Sequence, residues 1–321
     1  MYHYEQLLNS AASQLDTLPL QKADAQPTVL KKAFDLVYDL GIFALYRYDP
    51  ALHEQIKFRL FQTLTSRSGS LAFLAIQILA ANKIMHNSTF SQKERYFAKK
   101  CGIAINHLRA PVTVVSAVKR ENTYLLNGTM SWASGYGIFD TLVAGFHCDG
   151  KEFQAVVPFV PQPGFAIGEG VETFVGNAMQ TVNITLTDYV VPHDAIVVSR
   201  PMGTYTQNKS VSKTIHYALY GIGLGALKLI ADTEVKTAAH QRLEKLKNAF
   251  LKTMDGSELD ALRVALFSLV QQTVTTAMVL TGGGSVRSSE TLQRYYREII
   301  MFNANGLNDA LKERFKKEYL S

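Results

Sequence analysis

Residues Tyr124–Val160 have the sequence YLLNGTMSWASGYGIFDTLVAGFHCDGKEFQAVVPFV, which gives the clearest indication of the fold. Three of its segments are rich in apolar and aromatic residues, as β-strands are: Tyr124–Leu126, Thr141–His147 and Phe153–Val160. Turn-forming residues separate them, at Asn127-Gly128, at Ser134–Gly137 and at Asp149-Gly150. Only the last is a two-residue hairpin signal of the Asp-Gly kind. The pattern predicts one continuous antiparallel sheet.

Trp132, the only tryptophan of the chain, lies between the first two of these turns. Small residues follow it, Ser134 and Gly135, so its large flat ring can form the wall of a ligand site. Aromatic side chains more often serve packing, and the alternative is a core tryptophan that plugs the end of a small barrel. The sequence leaves both interpretations open.

The strand-like character extends over residues 101–200, where valine and threonine are dense and prolines punctuate the segments. Val182–Leu186 alternates between apolar and polar residues, which indicates one buried and one wetter face. We predict a central antiparallel β-barrel domain over these hundred residues.

Helical patterns flank this region on both sides. Residues 1–100 predict an N-terminal α-helical domain, with apolar positions at helical spacing in Thr28–Leu40 and a nearly all-apolar run in Ser70–Ala81. Residues 201–321 predict a C-terminal α-helical bundle, with one long helix or two in Ser212–Phe250 and a further helix in Ser257–Leu280. The predicted fold class is therefore multi-domain α+β.

The amino-acid composition limits the cellular location and the binding partners that we expect. Two cysteines, Cys101 and Cys148, give no disulfide framework and no metal-ligand spacing, so we expect a cytoplasmic protein without a metal. No apolar run approaches the ~20 residues that span a bilayer, so we expect no membrane partner. The 33 Lys and Arg exceed the 27 Asp and Glu by 6, which favours an anionic partner or a solvated helix face. No nucleic-acid module is recognisable, and we expect no nucleic-acid partner.

Motifs spread over nearly the whole chain, in one order, resemble the acyl-CoA dehydrogenase superfamily of flavoproteins. Leu40–Leu45 is similar to the family's first helical hairpin. Tyr124–Gly128 followed by Trp132-Ala133-Ser134 is similar to its flavin segment. Asp188–Pro192 resembles the strand end before its C-terminal helices, and Gly282-Gly283 followed by Leu292–Glu298 resembles its ending.

The resemblance implies a helical domain, a central β-barrel and a C-terminal helical bundle, with FAD between barrel and bundle in a homodimer or homotetramer. It places Trp132, Ala133 and Ser134 beside the flavin ring, where the Ser134 hydroxyl would bond the reactive edge. It brings Ile105 and Asn106 to the pyrimidine side of the ring. It also assigns Gly282 and Gly283 to the cofactor site.

The sequence departs from the family at the catalytic base, a glutamate that takes a proton from the carbon next to a thioester carbonyl. Of its two positions in the family, one falls in Met301–Asn308, which holds no carboxylate. The other falls at Thr214 or Ile215, where His216 is the only titratable neighbour. His216 and Asn305 are therefore the candidate catalytic residues, since histidine accepts a proton near neutral pH. The alternative for His216 is a packing residue, and for Asn305 ordinary surface.

The phosphate contacts of the flavin depart from the family as well. Arg242–Leu246 does not supply the expected Arg-x-x-Phe-Gly segment, and Val279 stands where a glutamine is expected. Gly102–Pro111 replaces the family's glycine- and acid-containing loop.

Three functional hypotheses follow. The first is an FAD-dependent oxidoreductase acting on an acyl thioester, bound to coenzyme A or an acyl-carrier protein, and distinct from the standard beta-oxidation enzymes. The second is a flavin-dependent monooxygenase on the same fold, which needs no glutamate base. The third is a non-catalytic scaffold or binding protein that has lost the flavin.

Overall fold

The computed structural model describes residues 1–207, 212–304 and 309–320. Asn305 lies outside these described residues. Five α-helices precede the sheet in the described chain: α1 (Tyr2–Leu15), α2 (Pro27–Asp39), α3 (His53–Thr65), α4 (Gly69–His86) and α5 (Lys93–Phe97). The predicted helical character of the N-terminal part is confirmed.

Helices α2 and α4 form where the apolar spacing predicts them. The buried face of α2 consists of Leu30, Ala33, Phe34 and Val37. Helix α4 begins after Ser68, whose hydroxyl oxygen accepts a hydrogen bond from the N–H of Leu71. It buries residues on nearly every side, because it packs against α3 and α7 as well as against β1.

The described residues form a single eight-stranded sheet. Its strands are β1 (Cys101–Ala104), β2 (Val115–Lys119), β3 (Thr123–Ala133), β4 (Thr141–Cys148), β5 (Lys151–Pro158), β6 (Phe165–Gly170), β7 (Val182–Pro192) and β8 (Ile196–Pro201). The strand order is β6-β7-β3-β2-β4-β5-β8, and β1 also pairs with β4. In β7 the predicted alternation is confirmed, with Val182, Ile184 and Leu186 buried.

Two details of the predicted barrel are wrong. The sheet is not closed, because β6 pairs only with β7 and β8 only with β5 among the described strands, which leaves two edges. The sheet is also not purely antiparallel, because both β1 and β2 run parallel to β4. Since β2 separates β3 from β4, Tyr124–Val160 does not form one continuous antiparallel sheet by itself, contrary to the prediction.

The three predicted turns have different outcomes. Asp149 and Gly150, at φ of 47° and 70°, join β4 to β5, which confirms the hairpin, since a type I′ turn needs two positive φ values. Ser134–Gly137 separates β3 from β4 as predicted. Asn127-Gly128 forms no turn and is a bulge within β3. Gly128 is required there, because a Cβ atom would lie 2.0 Å from the carbonyl oxygen of Val114.

After the sheet, the described chain is helical again: α6 (Thr204–Gln207), α7 (Thr214–Leu229), α8 (Thr233–Lys252), α9 (Gly256–Thr281), α10 (Thr291–Ala304) and α11 (Asp309–Leu320). The segment Ser212–Phe250 thus holds two long helices, which the sequence left open. Asp232 and Asp255 cap α8 and α9 with their carboxylates. The predicted C-terminal helical part is confirmed.

Helix α9 is long enough and apolar enough to cross a membrane, by length and composition only. This finding contradicts our expectation that no apolar run is long enough. Core helices of soluble proteins pass the same test. In the described structure α9 packs against α7, α8, α10 and α11.

Buried side chains connect the helices with the sheet. The larger cluster runs from Tyr4 in α1 through β3 and β4 to Phe302 in α10. A smaller cluster lies between α4, α5 and the strands β1, β4 and β5. Because the larger cluster is continuous, the domain boundaries at residues 100 and 200 stay predictions.

Candidate functional site

The side chain of Trp132, near the end of β3, is 63% exposed. The interpretation of Trp132 as a core residue that plugs a barrel is therefore wrong. The sheet has no closed end to plug, and Trp132 belongs to neither cluster of buried side chains. Its ring is available to a ligand.

Trp132 lies on a β-bulge. Met130 pairs with Ile184 and Ala133 with Val182, so that two residues of β3 oppose Asn183 alone. The φ of Trp132 is 61°, a left-handed conformation that costs a bulky residue about 1–3 kcal/mol. The N–H of Trp132 donates to Oδ1 of Asn183 at 3.3 Å, which supports the bulge. Strain and exposure together make this residue a candidate for function.

Next to the exposed tryptophan, the chain turns inward. Ala133 is fully buried and Ser134 is buried, with its Oγ 2.8 Å from Oγ1 of Thr181. In such a pair one hydroxyl donates to the other, and the second hydroxyl keeps a hydrogen that can be donated elsewhere. The pair therefore retains one O–H donor, close to Trp132 along the chain, that the described hydrogen bonds do not use.

Two backbone hydrogen bonds fix the segment of residues 171–181, which ends at Thr181. The N–H of Val171 donates to the carbonyl oxygen of Thr181 at 2.7 Å, and the N–H of Gly135 donates to that of Met179 at 2.7 Å. Gly135 has a φ of 89°, and a Cβ atom there would lie 2.3 Å from the ring of Phe139. The turn after β3 therefore requires glycine at this position.

The structure does not group Ile105 and Asn106 with Trp132. Ile105 is buried in the smaller cluster, against residues such as Val143 and Val156. Asn106 is exposed at the start of a short 3₁₀ helix, Asn106–Arg109. The assignment of these two residues to a flavin stays a prediction.

Gly282 and Gly283 lie where α9 ends. Gly282 has a φ of 82°, and its N–H donates to the carbonyl oxygens of Met278 and Val279. No atom of the described residues lies within 4 Å of a Cβ atom at either glycine. The described geometry is that of a helix C-terminus, where glycine is favoured for conformational reasons.

His216 lies inside the C-terminal helices. Its Nε2 donates to the carbonyl oxygen of Leu259 at 2.8 Å, and its ring contacts Phe250. Nδ1 has no hydrogen-bond partner among the described residues. Burial lowers the pKa of His216 to about 4, so the ring is neutral at pH 7. These contacts favour the packing alternative, and the assignment of His216 as a base stays a prediction.

Sequence reasoning missed Thr181 and Asn183, which complete the site from β7 and the segment before it. The alternation of β7 does place Asn183 on the exposed face. No sequence signal, however, shows that β7 pairs with β3, since β6 and two other strands separate them along the chain.

The site fits the ring of a flavin better than its phosphates. The exposed indole gives a flat aromatic surface, and the Ser134–Thr181 pair gives a donor for a ring heteroatom. Phosphates prefer helix N-termini and cations. Gly282 and Gly283 lie at a helix C-terminus instead, where the helix dipole is negative.

No protein-family model matches the sequence, and no curated protein matches it. Solved structures match it in fold. One is a glutaryl-coenzyme A dehydrogenase in complex with glutaryl-CoA, with a TM-score of 0.77 at 14% identity, over 100% of this chain and 95% of that chain. Another is TdsC from Paenibacillus sp. A11-2 with FMN and indole, with a TM-score of 0.77 at 14% identity, over 100% and 97%.

A third is butyryl-CoA dehydrogenase from Megasphaera elsdenii, with a TM-score of 0.71 at 14% identity, over 100% of this chain and 98% of that chain. The matches therefore cover the helices on both sides of the sheet as well as the sheet itself. At this identity a structural likeness establishes the fold alone. This chain has the acyl-CoA dehydrogenase fold.

Proposed function

We propose that this chain binds a flavin against Trp132 and Ser134 and acts as a flavin-dependent oxidoreductase on an acyl thioester. The observation that carries the proposal is the strained, exposed Trp132 beside the buried Ser134–Thr181 hydroxyl pair. A strained residue persists when the surrounding structure holds it, and such residues cluster at functional sites. Because Trp132-Ala133-Ser134 resembles a flavin segment, we assign a flavin as the ligand at this position.

The residues of the site have separable roles in this proposal. The indole of Trp132 covers one face of the flavin ring, and the spare hydroxyl hydrogen of the Ser134–Thr181 pair bonds a ring heteroatom. A bound flavin supplies the electron and hydride chemistry. The chain orients the ring and keeps water from the covered face.

The acyl thioester is the leading substrate class. Structures of similar fold include a dehydrogenase in complex with glutaryl-CoA. A base for such a reaction differs from that of the family, because the sequence has no carboxylate at either family position and the ring of His216 is buried and neutral. Coenzyme A and an acyl-carrier protein are both proposed handles for the acyl group.

A flavin-dependent monooxygenase is the second candidate. Two observations favour it: the missing carboxylate, and a site that suits a flavin ring better than the long phosphate end of FAD. A protein of similar fold has been solved with FMN and indole. FAD remains our leading cofactor from the resemblance, with FMN as the alternative that this geometry favours. A homodimer or homotetramer in the cytoplasm stays a prediction.

The test uses the single tryptophan as its own reporter. The purified protein is titrated with FAD and, separately, with FMN, while Trp132 emission and flavin absorption are recorded. We expect a flavin to quench Trp132 emission as the absorption bands of bound flavin appear. Trp132→Phe, followed through flavin fluorescence, should bind less tightly, whereas Tyr136→Phe in the adjacent turn should bind like the parent protein.

Anaerobic mixing then separates the activities. Bleaching of the flavin by an acyl thioester would support the dehydrogenase, and hydroxylated product on reoxidation of reduced flavin would support the monooxygenase. Absence of binding at high concentrations of both flavins would overturn the proposal and leave the flavin-free scaffold.

A further inference from the structure

Asp24 is a buried carboxylate between α1 and α2, only 5% exposed, and it contacts three distant parts of the chain. Its Oδ1 accepts the N–H of Gly176 at 2.6 Å and the hydroxyl of Ser70 in α4 at 3.2 Å. Its backbone carbonyl accepts the N–H of Ala178 at 2.9 Å. Asp24 thus holds the segment that leads to Thr181 at two points.

Arg297 in α10 completes this arrangement. Its Nη1 donates both to Oδ2 of Asp24 and to the carbonyl oxygen of Phe174. Its Nε donates to Oε1 of Gln293 at 2.9 Å, which fixes the guanidinium. Asp24 and Arg297 therefore both hold residues 174–178, Asp24 from the N-terminal part of the chain and Arg297 from the C-terminal helices.

Residues 174–178, which Asp24 and Arg297 hold, continue directly into the candidate site. The N–H of Met179 donates to the carbonyl oxygen of Gly176 at 2.9 Å, and the carbonyl oxygen of Met179 accepts the N–H of Gly135 at 2.7 Å. Thr181 follows and meets Ser134 at 2.8 Å. Two residues on, Asn183 accepts the N–H of Trp132.

Stability alone does not explain an ion pair at this place. Asp24 is buried and the side chain of Arg297 is only 25% exposed, so the cost of removing these charges from water offsets much of their attraction. The pair also sets geometry, because the planar guanidinium of Arg297 bonds Gln293 through Nε and both Asp24 and Phe174 through Nη1, and such a group admits few orientations. The backbone conformation of this segment must be held in place, since Gly176 and Gln180 both have positive φ values, 73° and 47°.

We infer that Asp24, together with Arg297, is a positioning residue for the Trp132–Ser134 site. It sets the register of residues 174–181, so that the hydroxyl of Thr181 meets Ser134 and Asn183 supports the bulge of Trp132. The effect on a cofactor rests on the proposed function, whereas the effect on Trp132 does not.

The experiment measures Trp132 in the flavin-free protein first and the flavin second. In Asp24→Asn, which keeps the shape of the side chain and removes its charge, the fluorescence anisotropy of Trp132 should fall because the bulge loosens. The dissociation constant for flavin should rise about tenfold, the effect of one lost oriented hydrogen bond. Arg297→Lys keeps the charge but not the fork, and should show the same changes more weakly.

Asp16→Asn is the matched control. Asp16 pairs with Arg67 at 2.8 Å, also within the N-terminal helical part, but its ion pair does not contact residues 174–181. Its anisotropy and flavin affinity should match those of the parent protein. Thr181→Val, which exchanges the hydroxyl for a methyl group, should reproduce the loss of flavin affinity. If Asp24→Asn does not fold, Arg297→Lys decides the inference by the same two measurements.

A lower melting temperature in Asp24→Asn and Arg297→Lys, with unchanged Trp132 anisotropy and flavin affinity, would make the pair purely structural and overturn the inference. If the parent protein binds no flavin, the proposed function fails, and the anisotropy of Trp132 still decides the positioning role.

Discussion

Glu298 of α10 lies against the first turn of α4, where its Oε1 accepts the N–H of Gly69 at 2.7 Å. The carboxyl group is fully buried, and its Oε2 has no hydrogen-bond partner among the described residues. A Cβ atom at residue 69 would lie 2.5 Å from the Glu298 carboxyl carbon, so this approach requires glycine. The contact joins the N-terminal helices to the C-terminal ones through one titratable group.

This contact predicts a pH-dependent stability. Burial raises the pKa of Glu298 to about 7, although Arg294 and the Gly69 N–H oppose the rise. The folded state thus keeps a proton that the unfolded state loses above pH 4.5, and stability falls as pH rises from about 4.5 to 7. The loss is on the order of 3 kcal/mol. Glu298→Gln, unfolded in urea at several pH values, should lack this decline.

The comparison between Glu298→Gln and the parent protein must be made at each pH, because buried histidines act in the opposite direction. A difference between the two proteins that stays constant from pH 5 to 8 would contradict the prediction. Glu290→Gln, an exposed glutamate that precedes the same helix, is the control and should follow the parent protein.

His216 changes the stability with pH in the direction opposite to Glu298. Its pKa is lowered to about 4, chiefly by burial, so below pH 6.5 the unfolded state takes up a proton that the folded state refuses. Stability should be complete above pH 6.5 and should fall, by about 3 kcal/mol at most, as pH drops toward 4. His216→Gln retains an N–H donor for Leu259 and should lack the loss, as equilibrium unfolding at pH 4.5 and 7.5 would show.

The same variant tests the catalytic role of His216. Under the packing alternative, turnover of a flavin-loaded enzyme should stay within a few-fold of the parent value. Abolished turnover in a folded His216→Gln protein would restore His216 as the base.

The sequence predicts the helices well, because their signals are local. The spacing of Leu30, Phe34 and Val37 and the apolar run of α4 correspond to observed helices. The Asp149-Gly150 hairpin is equally local. The openness of the sheet could not be predicted in this way, since whether β6 and β8 pair depends on strands far apart in the chain.

The sequence predicts only the part of the candidate site that lies at the end of β3. Trp132 and Ser134 are adjacent in the sequence and carry the resemblance, whereas Thr181 and Asp24 reach them only through folding. The exposure of Trp132 was an open alternative, because neither the bulge nor its positive φ has a signature in the residues around it. Strain of this kind follows from the pairing of β3 with β7.

Removing the strain at Trp132 should separate stability from binding. Trp132→Gly relieves a φ of 61° and removes a side chain that is 63% exposed, so little packing is lost. We expect the variant to be as stable as the parent protein or more stable by about 1 kcal/mol. Its flavin affinity should fall far more than its stability changes. Thermal unfolding and flavin titration measure the two quantities, and parallel losses would indicate a packing role instead.

Two glycines offer a comparison that isolates the packing under Ser134. Gly135 and Gly150 both have positive φ values, 89° and 70°, so alanine is strained at either. At Gly150 no atom in the described part of the chain lies within 4 Å of a Cβ atom, whereas at Gly135 the Phe139 ring would lie at 2.3 Å. We expect Gly150→Ala to cost about 1 kcal/mol of unfolding free energy and Gly135→Ala about 2–4 kcal/mol. Because Phe139 must move and Ser134 with it, Gly135→Ala alone should also weaken flavin binding. Equal costs in urea unfolding would show that Phe139 yields freely and that the turn does not fix Ser134.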